Sequence, residues 1–133
     1  MAARLAAYLS YRDAPAALAW LQAIGFEVVR RADAPDGTVA HAEVRRDDVV
    51  LMVAGYDADY SRPPLVGAST GGGLYLVLDD AAAVDDGVAR AVAAGGTAVI
   101  PPEETEWGTR RARFLDPEGG EWSLGTYAPG QAW

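Results

Sequence analysis

Hydrophobic and polar positions along the chain change period in an order that repeats once. Residues 4–11 alternate as a strand, and Asp13 then stands as N-cap to a helix with Pro15 in its first turn. Leu18, Leu21 and Ile24 recur at helical spacing, and Gly25 supplies the stop. Strands are predicted over Phe26–Arg31, Thr38–Arg45 and Val49–Ala54, separated by the turns Ala34-Pro35-Asp36-Gly37 and Arg46-Asp47-Asp48. After a connection rich in Tyr, Pro and Gly from Gly55 to Gly73, the order begins again. Leu74–Leu78 is a strand, Asp79 or Asp80 caps a helix through Ala94, and Gly95-Gly96 end it. Thr97–Ile100, Thr109–Leu115 and Glu121–Tyr127 complete the second set, the last two joined by Asp116-Pro117-Glu118-Gly119-Gly120.

The halves superpose with a nearly constant offset, Gly25 on Gly96 and Val44 on Phe114. A repeat that keeps element order, caps and turns together marks an internal duplication. It predicts an α+β chain of two βαβββ modules, about 4–55 and about 73–127, each sheet carrying one helix on its outer face. Residues 56–72 form a linker that also suits a lid, and Gly71-Gly72-Gly73 lacks the following helix and Lys of a phosphate loop.

Composition narrows the chemistry. Half of the 133 residues are hydrophobic, enough for a buried core. No apolar run reaches the roughly eighteen residues of a membrane span, and the N-terminus does not read as a signal peptide, so the expectation is a cytoplasmic protein. Cysteine is absent and one histidine is present, which removes disulfides and thiolate sites and leaves a single imidazole. Nineteen acidic side chains against eleven basic ones, all arginine, give a net charge of −8 that repels a phosphate backbone. Nucleic acid and membrane are not expected partners.

Tyr11-Arg12-Asp13-Ala14 before a helix ending in Ile24-Gly25-Phe26-Glu27, together with Phe114-Leu115-Asp116-Pro117-Glu118-Gly119-Gly120-Glu121-Trp122, resembles the vicinal oxygen chelate superfamily of glyoxalases, bleomycin-resistance proteins and dioxygenases. The resemblance runs from about residue 4 to 127. It implies a curved eight-stranded mixed sheet around a cavity, with helices on the convex face. It also implies a test, because enzymes of the family hold a divalent metal with His, Gln or Glu from cavity-facing strands. The matching positions fall on Ala6, on Leu51 or Met52, on Gly73 or Leu74, and on Ser123. These side chains are not a ligand set, so no metal and no other cofactor is expected.

Strand alternation distributes the remaining side chains. If Ala6 faces the cavity, so do Tyr8 and Ser10, while Leu5, Ala7 and Leu9 face the helices. Tyr75 and Val77 go with Gly73, and Glu121, Gly125 and Tyr127 with Ser123. Ala40, Ala42 and Val44 suit the helix side, which turns Val39, His41, Glu43 and Arg45 inward, and Ala112 and Phe114 likewise turn Arg111 and Arg113 inward. The candidate ligand-binding residues are therefore Tyr8, His41, Glu43, Met52, Tyr75, Arg111, Arg113, Ser123 and Tyr127, with Tyr56 and Tyr60 from the connection and Trp107 from the loop before the seventh strand. The charges could simply pair with one another, Glu43 with an arginine. His41 and Glu43 could also be a base and its partner. Trp20 and Trp122 read as core, whereas Trp107 has no evident core partner and suits stacking on a flat ligand.

The reading that unites these features is a metal-free protein that sequesters an aromatic natural product or antibiotic, and it names no catalytic residue. The alternatives are a glyoxalase-type metal-dependent lyase, isomerase or dioxygenase, and a regulatory module without a ligand. Strand edges and concave apolar faces predict a homodimer, with modules pairing within a chain or swapping between chains.

Overall fold

The computed structural model describes residues 5–55 and 72–129. These divide between two compact units, each a βαβββ module. The first holds β1 (Ala7–Tyr11), α1 (Ala14–Ala23), β2 (Glu27–Asp33), β3 (Val39–Arg46) and β4 (Val49–Gly55). The second holds β5 (Gly73–Val77), α2 (Ala81–Ala93), β6 (Thr97–Glu104), β7 (Arg110–Leu115) and β8 (Glu121–Gly125). Each sheet has four strands, in the orders β1-β4-β3-β2 and β5-β8-β7-β6. The first strand of each module runs parallel to the last, and the other pairs are antiparallel. The fold is thus α+β, with eight strands in two mixed sheets. Among the described residues no helix is long and apolar enough to cross a membrane.

The helices start and stop where local chemistry requires. The Asp13 carboxylate accepts from the Ala16 amide at 3.1 Å and that of Asp80 from the Ala83 amide at 2.8 Å, so each satisfies an otherwise unpaired N–H of a first turn. Gly25 and Gly95 then take φ of 107° and 114°, values that a side chain would disfavour. Gly95, not Gly96, is therefore the counterpart of Gly25. At the end of α1, Arg46 donates to the Ile24 carbonyl at 2.9 Å and places a cation at the negative end of the helix.

Each helix covers one face of its own sheet. In the first module Leu18, Trp20 and Leu21 of α1 are buried, as are Ala42, Val44, Leu51 and Val53 on the strands. In the second, Val84, Val88 and Ala91 of α2 are buried over Ala112, Phe114, Trp122 and Leu124, with the rings of Phe114 and Trp122 parallel at 6.5 Å. Trp20 and Trp122 are core, as expected.

Most strand boundaries shift by a residue or two from the sequence reading, and the edge strands and the last hairpin shift most. The edge strand β6 continues through Pro101 and Pro102 to Glu104. An edge strand tolerates a proline on its open side, and the pairing with β7 is irregular between Ile100 and Glu103, which spares the other. In the first sheet the edge strand β2 continues to Asp33, whereas β7 begins at Arg110 and β8 ends at Gly125, short of Tyr127. Alternation also fails at one point. Val39 is buried and Ala40 exposed, the reverse of the expectation, because Ala32 pairs with His41 but Asp33 with Val39, leaving Ala40 as an extra residue in β3. Leu5, assigned to the helix side, is 97% exposed. Matching bulges also occur in the edge strands β2 and β6, at Val29 and Val99.

The β7–β8 turn closes on a buried carboxylate. Asp116 accepts from the amides of Glu118 at 3.0 Å and Gly120 at 2.8 Å and from the indole N–H of Trp122 at 3.2 Å. A side chain at Gly120 would collide with that carboxylate. Removing the acceptor takes these bonds from a buried indole and two part-buried amides. Asp116→Ala is expected to destabilise the protein by about 2–4 kcal/mol, read as a lower denaturant midpoint at unchanged slope.

Candidate functional site

With one face of each sheet under its helix, chemistry is available on the other face. In the first module the register sets Tyr8 beside Met52, Met52 beside Glu43, and Glu43 beside Arg30. His41 lies two residues along β3 from Glu43, on the same face. Tyr8 is 59% exposed, while Met52, His41 and Glu43 are half-buried. His41 and Glu43 meet at 2.8 Å between Nε2 and Oε2. That hydrogen bond, with some help from the positive charges of Arg30 and His41, holds the Glu43 carboxyl below the usual carboxylate range against a weaker effect of burial. Glu43 therefore takes His41 as its close partner, one of the two pairings that the sequence left open. Ser10, on the same side of β1, donates to the Gly55 carbonyl at 3.3 Å.

In the second module the register aligns Tyr75, Ser123 and Arg113, and beside them Val77, Gly125 and Arg111. The Tyr75 ring lies over Gly125, where any Cβ would overlap it, and its hydroxyl donates to the Tyr127 carbonyl at 2.7 Å. Burial pushes the Tyr75 phenol above its ordinary pKa. Arg113 donates to the Ser123 hydroxyl at 3.2 Å and pairs with Glu121 at 3.4 Å, and Arg111 donates to Glu103 at 2.9 Å. Both arginines thus have carboxylate partners on the sheet.

Trp107 occupies the β6–β7 turn. Its backbone is fixed by Thr105, whose amide donates to the Thr109 carbonyl at 2.7 Å and whose carbonyl accepts from Gly108 at 3.1 Å. The Thr105 and Thr109 hydroxyls are 2.7 Å apart, and Gly108 supplies a φ of 75°. The indole is left 72% exposed on an ordered turn. Next to it Arg110 bonds Asp85 of α2 at 2.6 Å and Glu104 at 3.2 Å, tying the base of the hairpin to the helix.

The structure thus gathers Tyr8, Met52, Glu43 and His41 on one open face, and Tyr75, Ser123, Arg113 and Arg111 on another. Tyr127 adjoins the second through its carbonyl. Tyr56 and Tyr60 lie outside the described residues. The roles of Arg30, Arg110, Asp116 and Gly125 were not foreseen. Arg30 could have been found from strand register, and alternation had already put Gly125 on this face without its contact to the Tyr75 ring. The Arg110–Asp85 contact joins residues far apart in sequence and leaves no local trace.

The same registers test a metal of the kind that the fold family uses. Met52 lies beside Tyr8 and Gly73 beside Glu121, while Ser123 spends its hydroxyl on Arg113. A thioether, a hydrogen and a hydroxyl, with Ala6 as the remaining position, do not fit a divalent cation. Among the described residues no three of His, Asp and Glu converge on a point.

Residues 4–124 match the model of the Glyoxalase/Bleomycin resistance protein/Dioxygenase superfamily, and the chain belongs to it. The proteins Mb0911c of Mycobacterium bovis and Rv0887c of Mycobacterium tuberculosis are each 32% identical to it over 130 residues, covering 91% of this chain and 81% and 72% of theirs. TioX from Micromonospora sp. ML1 shares the fold at a TM-score of 0.71 and 24% identity, over 96% of this chain and all of its own. A glyoxalase/bleomycin resistance protein/dioxygenase family enzyme from Burkholderia phytofirmans PsJN does so at 0.72 and 23%, over 90% and 94%.

The depressed Glu43 pKa has a definite sign. Its stabilisation is present above the unfolded-state value and is lost as pH falls through the folded one. Carbon-detected NMR titration should find Glu43 ionised below the ordinary carboxylate range, and His41→Phe should move it back up.

Proposed function

We propose that this chain binds a small aromatic molecule, sequestering a natural product or antibiotic without a metal. The observation that carries the reading is the composition of the open faces. Aromatic and thioether side chains stand beside polar groups that already have partners, and the family's metal positions bear no ligand set. Such a surface can supply stacking and orientation, which are what binding a planar guest requires. The turn holds the Trp107 backbone in place and leaves its indole exposed as a further stacking plane. A lyase, isomerase or dioxygenase reading has only the fold in its favour, and one fold hosts many chemistries.

Two measurements test the proposal. Purified protein should carry less than about a tenth of an equivalent of Zn, Ni, Fe or Mn, and chelators should leave its Tm unchanged. A stoichiometric transition metal would overturn the metal-free reading. Trp107→Ala should weaken binding of a planar aromatic antibiotic on the order of tenfold to a hundredfold while leaving stability near wild type. Equal affinities would show that the indole is not a contact.

A further inference from the structure

The His41–Glu43 pair has a chemical polarity that sharpens this reading. An ionised carboxylate can only accept hydrogen bonds, and Glu43 is held in that form below the ordinary range. The 2.8 Å contact is made by Nε2 of His41. In the neutral imidazole Nε2 must therefore carry the proton, which leaves Nδ1 with a free lone pair. Among the described residues no hydrogen-bond partner of Nδ1 is present, and the His41 side chain is 38% exposed. On the β2 side its register partner is Ala32, which presents only a methyl. Along the neighbouring row stand Met52 and the exposed ring of Tyr8. At strand spacing, Tyr8 and Glu43 are roughly 10 Å apart, a span that a fused aromatic ring system bridges.

We infer that the His41 Nδ1 lone pair is a recognition point for a hydrogen-bond donor on an aromatic ligand, a phenolic hydroxyl, with Glu43 fixing the tautomer. The inference rests on the aromatic-binding reading and adds the class of ligand: a phenol rather than its ether or another acceptor-only analogue. His41 is the recognising group, and Glu43 is a positioning residue that acts through it.

The tautomer is measurable without any ligand. His41 is the only histidine of the chain, so one set of imidazole nitrogen signals reports it without ambiguity. Long-range nitrogen–proton correlation at about pH 8, above the ordinary histidine range, should show Nε2–H with Nδ1 unprotonated. Glu43→Leu should return the signals to rapid exchange between tautomers. An Nδ1–H tautomer in the wild type would overturn the inference. Binding is then measured by calorimetry with 2-naphthol and 2-methoxynaphthalene, which differ in the donor hydrogen. Wild type should prefer the naphthol by about tenfold, the effect of one hydrogen bond to a partly buried acceptor. His41→Phe should abolish that preference while keeping affinity for the ether, and Glu43→Leu should reduce it. Equal binding of both probes by the wild type would remove the donor selection and leave aromatic binding standing. Binding of neither would overturn both.

Discussion

A strand has a period of two, so a slip of one residue in pairing exchanges its buried and open faces. In the second module that phase is held by a single carboxylate. Asp116 draws in the amides of Glu118 and Gly120 and then the indole N–H of Trp122, so the first core residue of β8 is fixed to the turn that precedes it. With Trp122 inside and stacked against Phe114, Ser123 must face out beside Arg113. The first module reaches the same result differently. Its β3–β4 turn is only Asp47-Asp48, with Asp47 at a φ of 51°, and Arg46 reaches back from that turn to the end of α1. One module fixes its last strand through a buried acid and the other through a helix-capping base. Both keep the open-face side chains in rows.

Much of this was legible in the residues. The two βαβββ modules, the caps at Asp13 and Asp80 and the core tryptophans follow from periodicity and cap chemistry, which are local. The exposed sides of β1, β5, β7 and β8 followed from alternation alone. What escaped was non-local. Nothing in Pro101-Pro102 says that these residues lie in a strand until the strand is known to be an edge. The bulge at Ala40 is invisible in a sequence where Val39 and Ala40 could each face either way. Glu43 could have met an arginine, and only the register that sets it beside Arg30 while His41 sits two residues away decides between them.

The duplication also shows how far two copies of one plan have diverged. α2 has 13 residues against 10 in α1, and that extra length is absorbed before the stopping glycine. Beyond it equivalent places hold the bulges at Val29 and Val99 and the core residues Val44 and Phe114, while the second break falls in β3 of one copy and in β6 of the other. The open faces have diverged as well. One carries a lone imidazole with its carboxylate, and the other carries arginines neutralised by Glu103 and Glu121. Related backbones thus carry one face with an imidazole–carboxylate pair and another whose cations are already compensated.

The bulged valines and the two prolines bear on solubility at high concentration. The outer rim of a sheet offers unpaired amides and carbonyls to any extended chain it meets, and a flat rim of this kind seeds fibrils. In β6 the break at Val99 and the missing N–H groups of Pro101 and Pro102 interrupt that row, and in β2 the break at Val29 is followed by Arg30 and Arg31. Exposed valine would otherwise favour cross-β growth. These irregularities make the β2 and β6 rims poor templates for a further strand, so the same departures from ideal pairing that obscured the strand boundaries also guard these two edges against strand addition.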